Sequence, residues 1–274
     1  MATASKPVLS VGIGGLGAIG LPVARRLVAG LPGLSLTAVA ARDTGRAVAR
    51  LAALGISVPV VALAELAQRA DIIVECVPSH AFREIAEPAI DAGRIFMPLS
   101  AGAFLEHFDL AARAEQRGAR IIVPTGALLG LDAMRAAAEG EIRSVTMITR
   151  KPPGGLAGAP YLVQHGIVLD GLKAPLRVFA GSARDGARGF PANVNVAAAL
   201  ALAGIGPDRT QLEIWADPAL DRNTHRIEVE ADSARFSLAI ENIPSLENPR
   251  TGRITALSVI ACLRGLAGPL RIGS

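Results

Sequence analysis

The chain has 274 residues, of which 51% are hydrophobic, 3% are aromatic and 19% are charged, with a formal net charge of +4. This length is enough for one large domain or two ordinary ones. The mild charge, the scattered arginines and the few aromatic residues argue against nucleic-acid binding. The longest run of small apolar residues, 196–206, is shorter than the roughly 20 residues that a membrane span needs, so we expect no membrane partner.

Cysteine usage and the N-terminal segment bear on where the protein works. Cys76 and Cys262 are far apart and form no cluster with histidines, so we expect neither a disulfide scaffold nor a metal site. This pattern is typical of the reducing cytoplasm. Residues 7–24 superficially resemble a secretory signal, but their glycines recur in three-residue steps, and we interpret them as part of the mature fold.

The first half of the chain alternates apolar runs with amphipathic stretches such as "PVARRLVAGL", "GRAVARLAALG", "AELAQRA" and "FDLAARAEQRGA". The predicted strands cover residues 8–13, 34–41, 71–77, 94–100 and 120–126. Short strands separated by helices predict a parallel sheet that is covered on both faces.

Near residue 130 the pattern changes to strands in which polar and apolar residues alternate. These are "IRSVTMITRK", "PLRVFAGS", "TQLEIWAD", "HRIEVEA" and "RFSLAIEN", with an Ala-rich helix, "VNVAAALALAG", among them. Alternation of this kind predicts a sheet with one covered face and one open face. The last helix, 251–268, is apolar over much of its surface, and we expect it to pack onto the first domain.

The segment "VGIGGLGAIGLPVARRL" carries the glycine spacing of dinucleotide-binding turns. The register that begins at Gly15 is favoured over the one that begins at Gly12, because it leaves the strand before it uninterrupted. Gly15 permits a tight turn, Gly17 lets the backbone approach a pyrophosphate, and Gly20 allows close helix–strand packing. A glycine-rich turn without a ligand is the alternative. The predicted cofactor-binding residues of this turn are Gly15, Gly17, Ala18, Ile19 and Gly20.

The second strand ends in "AVAARD", which offers both Arg42 and Asp43 to the ribose of a dinucleotide. An acid favours NAD through the 2′-hydroxyl, whereas an arginine accommodates the 2′-phosphate of NADP. The sequence therefore predicts NAD or NADP and leaves the choice open. Two solvated loop charges are the alternative for either residue taken singly.

Ligands of open parallel sheets bind beyond the carboxyl ends of the strands, which directs attention to the segments 77–82, 99–104 and 124–134. We interpret all three as loops. In the third loop the bare amide of Ala127 is suited to contact a flat cofactor ring. Ordinary helix entry with Asp132 near the cap is the alternative.

Four polar residues of the second half are candidate ligand contacts. Asn193 and Asn195 precede the Ala-rich helix, where an asparagine most often caps the helix and less often bonds the nicotinamide end of a cofactor. Arg150 and Lys151 close a strand before two prolines and are candidate anchors for a substrate carboxylate. A solvated strand end is the alternative for this pair.

His225 lies at the start of the strand "THRIEVEA", on the same face as the apolar residues Ile227 and Val229. A core histidine that is bonded to a backbone carbonyl is one interpretation. An acid–base residue is the other, because an unperturbed histidine has a pKa of about 6.5 and exchanges protons near working pH.

Several segments together resemble the L-aspartate dehydrogenase family of NAD(P)-dependent oxidoreductases. They include "GGLGAIG", "VPTGALLGLDAM", "TRKPPGGLAG", "FPANVNVAAALALAG" and "DPALDRNTHRIEVE", and they extend from about residue 9 to residue 266. The glycine loop is common to many enzymes, whereas the "NVNVAA" and "NTHRIEVE" segments are much more specific.

The resemblance implies reversible oxidative deamination of L-aspartate to iminoaspartate, which hydrolyses to oxaloacetate and ammonia, or goes on to quinolinate where the enzyme serves NAD synthesis. It implies a homodimer, His225 as the catalytic residue, and cofactor contacts at Ala127 and Asn193. Hydride can leave Cα only when the amino nitrogen has a free lone pair, so His225 is predicted to act as acid and base. The predicted substrate-binding residues are Lys151, Arg150 and Asn195.

We therefore predict an α/β protein with a Rossmann-type parallel sheet domain, residues 1–125 and 250–274. A second α/β domain with an open-faced mixed sheet, residues 126–249, is predicted to bind substrate and to form the dimer. Two alternatives remain: another two-domain NAD(P) oxidoreductase, of homoserine dehydrogenase or dihydrodipicolinate reductase type, and a non-catalytic dinucleotide-binding sensor.

Overall fold

The structure, a computed structural model, describes residues 7–191, 194–249 and 251–272. They form two compact units. The first contains the described residues of Met1–Ser100, His107–Pro124 and Ala256–Ser274, and the second contains Ala101–Glu106 and the described residues of Thr125–Thr255. Residues 101–106, which the sequence places in the first domain, thus belong to the second unit.

The first unit is built on a six-stranded sheet. Its strands are β1 Leu9–Gly14, β2 Leu34–Ala40, β3 Val60–Val61, β4 Ile72–Glu75, β5 Ile95–Pro98 and β6 Arg120–Ile121. They pair in the order β3-β2-β1-β4-β5-β6, and every pairing is parallel. The strands predicted at 8–13, 34–41, 71–77 and 94–100 are confirmed, whereas the one predicted at 120–126 is a strand only at Arg120–Ile121. Strand β3 is an additional short edge strand.

Helices complete the first unit. They are α1 Gly20–Val28, α2 Thr44–Ala52, α3 Phe82–Asp91, α5 Asp109–Arg117 and, from Ala256 onward, α10 Arg253–Ala267. Val259 and Leu263 of α10 are fully buried in one apolar cluster with Val11 and Ile13 of β1. The predicted helix "AELAQRA" forms a 3-10 helix, Leu63–Gln68, instead of an α-helix.

The second unit contains a five-stranded mixed sheet and short helices. Its strands are β7 Ile142–Lys151, β8 Leu176–Ser182, β9 Gln211–Ala216, β10 Asn223–Ala231 and β11 Arg235–Asn242, and its helices are α4 Ala101–Glu106, α6 Leu131–Ala138, α7 Pro160–Gln164, α8 Ala183–Gly189 and α9 Asn195–Ala203. The strand order is β11-β10-β7-β9-β8, in which only the pairing of β7 with β9 is parallel. The predicted fold class is therefore confirmed.

The two faces of this sheet differ as the alternation predicts. On β10 the side chains of His225, Ile227 and Val229 are buried, while Arg226 and Glu228 between them are exposed. Ile227 and Val229 belong to the apolar core of this unit. His225 therefore lies at the end of the covered face, next to that core.

Three short helices of the second unit, α4, α7 and α8, were not predicted. The segment 99–104 was interpreted as a loop, which is wrong from Ala101 onward because α4 begins there. Helix α8 contains two glycines and gives only a weak helical pattern, yet Ser182 caps it by accepting a hydrogen bond from the Asp185 amide at 3.1 Å.

Within the described residues no helix has the length and apolar character needed to cross a bilayer.

Candidate active site

The glycine turn of the first unit lies between β1 and α1. Gly15 has a φ of +95°, a conformation that favours glycine, and its amide donates to the Ala40 carbonyl at 2.7 Å. A Cβ at Gly15 would lie 2.5 Å from the carbonyl oxygen of Cys76, and a Cβ at Gly20 would collide with the carbonyl of Gly15. Both glycines are therefore required by the close approach of backbone to backbone, as the chosen register predicts.

Gly17 differs from the other two glycines because space is open beside it. A Cβ added there would meet no described atom within 4 Å. Helix α1 begins at Gly20, and among the described residues no side chain caps its first turn. The amides of Leu21 and Val23 donate to the carbonyls of Gly17 and Ile19, and Pro22 has no N–H, so the Gly20 amide is the first-turn donor that is left for an anion. An open approach to the backbone at a helix N-terminus fits the pyrophosphate of a dinucleotide.

The two charged residues that follow β2, Arg42 and Asp43, have different surroundings. The Asp43 carboxylate caps α2 by accepting a hydrogen bond from the Arg46 amide at 2.9 Å. Arg42 is exposed and makes no hydrogen bond or ion pair with the part of the chain that the structure describes. Arg50, from the last turn of α2, donates to the Leu16 carbonyl at 3.0 Å and so fixes the glycine turn.

A fully buried carboxylate, Glu75, links the ends of β4 and β5. It accepts hydrogen bonds from the amides of Val77, Leu99 and Ser100 at 2.9, 3.2 and 3.0 Å, and from the Ser100 hydroxyl at 3.0 Å. Burial raises the pKa of Glu75 to about 7, although these hydrogen bonds act in the opposite direction. The carboxylate thus holds together the two segments that leave the sheet beside the glycine turn.

Glu75 should make the stability of the protein depend on pH. Its proton is released near pH 4.5 in the unfolded chain and near pH 7 in the folded chain. Between these values the folded state binds more protons, so the stabilisation from Glu75 is complete below pH 4.5 and is lost as the pH rises to about 7. The free energy of unfolding of the wild type, minus that of Glu75→Gln, should fall by about 3 kcal/mol from about pH 5 to about pH 8. Denaturant titration measures it.

His225 opposes this trend, because its lowered pKa destabilises the fold as the pH falls below 6.5, but it is present in both proteins and cancels in the difference. Glu84→Gln, at an exposed glutamate of α3, is the matched control and should follow the wild type. A difference between wild type and Glu75→Gln that stays constant with pH would contradict this role of Glu75.

In the second unit, His225 forms a buried cluster with two residues of β7. Strands β7 and β10 pair in a register that places Thr149 opposite His225, and the Thr149 Oγ1 atom lies 3.1 Å from His225 Nδ1. Lys151 follows two residues later, so it projects to the same face of the sheet. Thr149, Lys151 and His225 are 2%, 5% and 4% exposed.

The environment of His225 favours the neutral ring. Burial, with the Lys151 ammonium as a second cause, lowers the pKa of His225 to about 3. The acid–base prediction assumed an unperturbed pKa of about 6.5. At neutral pH the structure instead gives an uncharged imidazole beside a cation, which can offer one hydrogen-bond donor and one acceptor.

Arg150 does not join this cluster, because neighbouring residues of a strand project to opposite faces. Its guanidinium lies 5.0 Å from the centroid of the Trp215 ring and 3.5 Å from an Asp217 carboxylate oxygen. Of the two predicted carboxylate anchors, the structure therefore brings only Lys151 together with His225.

The loop that contains Ala127 is fixed by a residue that the sequence did not single out. Asn242 donates from Nδ2 to the Ala127 carbonyl at 3.0 Å. Its Oδ1 atom is buried and has no hydrogen-bond partner within the described residues. The orphaned acceptor suits an N–H donor such as a carboxamide, which fits a nicotinamide beside Ala127.

Of the two candidate asparagines, Asn195 lies within the described residues and Asn193 lies outside them. Asn195, the first residue of α9, accepts a hydrogen bond from the Gly102 amide at 3.1 Å and thereby joins α9 to α4. The structure thus gives the Asn195 carbonyl oxygen a protein partner.

Comparison with known proteins agrees with this division of the chain. Residues 15–124 match the family model described as the NAD binding domain of homoserine dehydrogenase, and residues 132–266 match the model described as the C-terminal part of aspartate dehydrogenase. The scyllo-inositol dehydrogenase of Lactobacillus casei, 13% identical, has the same fold over 98% of this chain and 91% of its own, with a TM-score of 0.56. The two family models, together with the glycine turn, define the class: a two-domain dehydrogenase with a Rossmann-type dinucleotide-binding unit.

Relatives with much higher sequence identity indicate the family within this class. The chain is 54% identical to L-aspartate dehydrogenase 3 of Bordetella bronchiseptica, over 98% of this chain and 99% of that protein, and 55% identical to the L-aspartate dehydrogenase of Bradyrhizobium diazoefficiens, over 97% and 94%. The crystal structure of aspartate dehydrogenase from Thermotoga maritima superposes with a TM-score of 0.72 at 26% identity, over 97% of this chain and 99% of that one. The chain belongs to the L-aspartate dehydrogenase family.

Proposed function

We propose that the protein catalyses the NAD(P)-dependent oxidative deamination of L-aspartate to iminoaspartate, which hydrolyses to oxaloacetate and ammonia, and that it also catalyses the reverse reaction. The observation that carries the proposal is the buried cluster of His225, Thr149 and Lys151, which lies in the segment that matches aspartate dehydrogenases. The L-aspartate dehydrogenases that are 54–55% identical over nearly the whole chain support the choice of substrate.

We assign cofactor binding to the glycine turn. Gly17 leaves room for the pyrophosphate, and the amides of Ala18, Ile19 and Gly20 at the start of α1 are suited to bond its oxygens. The Ala127 loop and Asn193 are assigned to the nicotinamide end. When bound, the oxidised nicotinamide accepts a hydride from the substrate.

The protein's own residues bind and orient the substrate. L-Aspartate carries two carboxylates, and we assign Lys151 to one of them because its ammonium is buried on the same face as His225. Arg150 is a poorer candidate because it projects to the opposite face of β7, and Asn195 is a poorer candidate because its carbonyl oxygen accepts from the Gly102 amide. His225 is assigned to contact the reacting centre.

The choice between NAD and NADP is assigned to the end of β2. Because the Asp43 carboxylate caps α2 while Arg42 is exposed, we propose that Arg42 accommodates a 2′-phosphate and that the enzyme accepts both cofactors. We further propose a homodimer and a role in pyridine nucleotide synthesis, which the resemblance of the sequence segments implies, and a cytoplasmic location, which the two free cysteines favour.

Turnover of L-aspartate tests the proposal. With the purified protein, L-aspartate and either NAD or NADP should give rising absorbance of the reduced nicotinamide, while D-aspartate should give none. L-Homoserine is the matched competitor, since residues 15–124 also match a homoserine dehydrogenase domain. Turnover of homoserine with aspartate inert would replace the proposal with another dehydrogenase. Cofactor binding without turnover would replace it with a sensor.

A further inference from the structure

The contact between Thr149 and His225 has a defined polarity. A neutral imidazole has one nitrogen that donates and one that accepts, while a threonine hydroxyl has a single hydrogen to donate. The two side chains face each other across the β7–β10 pairing, with Oγ1 and Nδ1 3.1 Å apart. The direction of this hydrogen bond decides whether Nε2, the other ring nitrogen, carries the hydrogen of the neutral ring.

The surroundings of Thr149 decide the direction of this hydrogen bond. Thr149 is 2% exposed, and among the described residues its hydroxyl has no hydrogen-bond partner other than His225. If Nδ1 carried the hydrogen and donated it, the hydroxyl hydrogen would be buried without an acceptor, which is unfavourable. The hydroxyl therefore donates to Nδ1, and the hydrogen of the neutral ring is on Nε2.

The neighbouring charge strengthens this arrangement. A protonated ring would need a hydrogen on Nδ1, where it would oppose the hydroxyl hydrogen of Thr149. It would also place a second positive charge near Lys151 in a buried site, and these surroundings lower the pKa of His225 to about 3. On β11, the residue opposite His225 is the apolar Ile240. The ring therefore stays neutral at working pH.

We propose that Thr149 is a positioning residue that holds His225 in the tautomer with hydrogen on Nε2, so that the ring offers the substrate a hydrogen-bond donor instead of a base. The proposal rests on the proposed function, because it assigns a task within that reaction. A neutral N–H donor suits an oxygen atom: the C2 carbonyl oxygen of oxaloacetate in the amination direction, or the hydroxyl oxygen formed when water adds to the imine. The triosephosphate isomerase histidine is a known precedent for a neutral imidazole of this kind.

Nitrogen NMR tests the tautomer without any turnover. In the full-length protein labelled with ¹⁵N-histidine, long-range ¹H–¹⁵N spectra distinguish a protonated ring nitrogen from an unprotonated one. The chain has four histidines, and the signals that disappear in His225→Ala belong to His225. We expect Nε2 protonated and Nδ1 unprotonated at neutral pH. A wild-type spectrum with hydrogen on Nδ1 would overturn the proposal.

Variants at Thr149 test whether the hydroxyl is the cause. Thr149→Val keeps the side-chain volume but removes the donor, and should lose the single tautomer and lower kcat by about tenfold, the worth of one hydrogen bond, with KM for the cofactor unchanged. Thr149→Ser should retain both properties. Thr146→Val, on the open face of the same strand, is the matched control and should change neither. A Thr149→Val protein with the wild-type tautomer and kcat would contradict the assignment.

These outcomes separate this inference from the proposed function. If the wild-type protein carries hydrogen on Nε2 but does not turn over aspartate, the proposed substrate is wrong and the proposed tautomer stands. If it turns over aspartate with hydrogen on Nδ1, the proposed substrate stands and the proposed role of Thr149 is wrong.

Discussion

Replacing His225 with alanine should lower kcat for L-aspartate by about 10²- to 10³-fold, the usual worth of a hydrogen-bond donor that stabilises developing charge at the reacting centre. Cofactor affinity should be retained, because the pyrophosphate contacts are assigned to the glycine turn and His225 is assigned to the substrate. Stopped-flow measurement of reduced nicotinamide gives kcat, and fluorescence titration with reduced cofactor gives Kd. His225→Gln, whose amide N–H has a reach similar to that of Nε2, should recover part of the loss if the ring acts as a donor.

His165 provides the matched control for this substitution. It is an exposed histidine of the same unit that stacks on Tyr161, with ring centroids 3.9 Å apart. His165→Ala should keep wild-type kcat. Wild-type kcat in a folded His225→Ala protein would mean that the buried imidazole serves the core alone.

Replacing Gly17 with valine should weaken binding of NAD and NADP by about 10- to 100-fold, the usual penalty for forcing a side chain into occupied space. The fold should tolerate the change, since a Cβ at Gly17 meets no described atom within 4 Å. The methyl groups would fill the space through which the pyrophosphate approaches the backbone. Fluorescence titration with reduced cofactor measures Kd, and thermal unfolding without cofactor measures stability.

Variants at two other glycines serve as comparisons for Gly17→Val. Gly265 of α10 also has open space beside it, so Gly265→Val should leave cofactor affinity unchanged. Gly15→Ala should instead destabilise the protein, because its Cβ would approach the Cys76 carbonyl and its φ is positive. Equal cofactor affinity in Gly17→Val and the wild type would place the pyrophosphate elsewhere.

The sequence predicts those features that depend on local pattern. The alternation along β10 places His225 on the covered face, and the spacing of Gly15, Gly17 and Gly20 predicts the turn, where tight backbone geometry excludes other residue types at Gly15 and Gly20. The opposite directions of Arg150 and Lys151 were also readable from strand alternation. The same alternation places Thr149 beside Lys151, a signal that the sequence-based site did not use.

The remaining features depend on contacts between distant segments. Thr149 and His225 are separated by 76 positions, and only the register of β7 with β10 brings them together. The burial of Glu75 follows from the approach of β4 and β5, although in the sequence it is an ordinary acidic residue at the end of a strand. Asn242 similarly reaches Ala127 across 115 positions. Tertiary pairing, which local pattern does not specify, sets all three contacts.

The most direct test of the account follows the hydride itself. L-Aspartate labelled with deuterium at Cα is incubated with the protein and NAD, and the reduced cofactor is examined by NMR. We predict that the deuterium appears at C4 of the nicotinamide, on one face only, and that its appearance is slowed in His225→Ala. Reduced cofactor without deuterium, or equal transfer with and without the imidazole, would contradict the account.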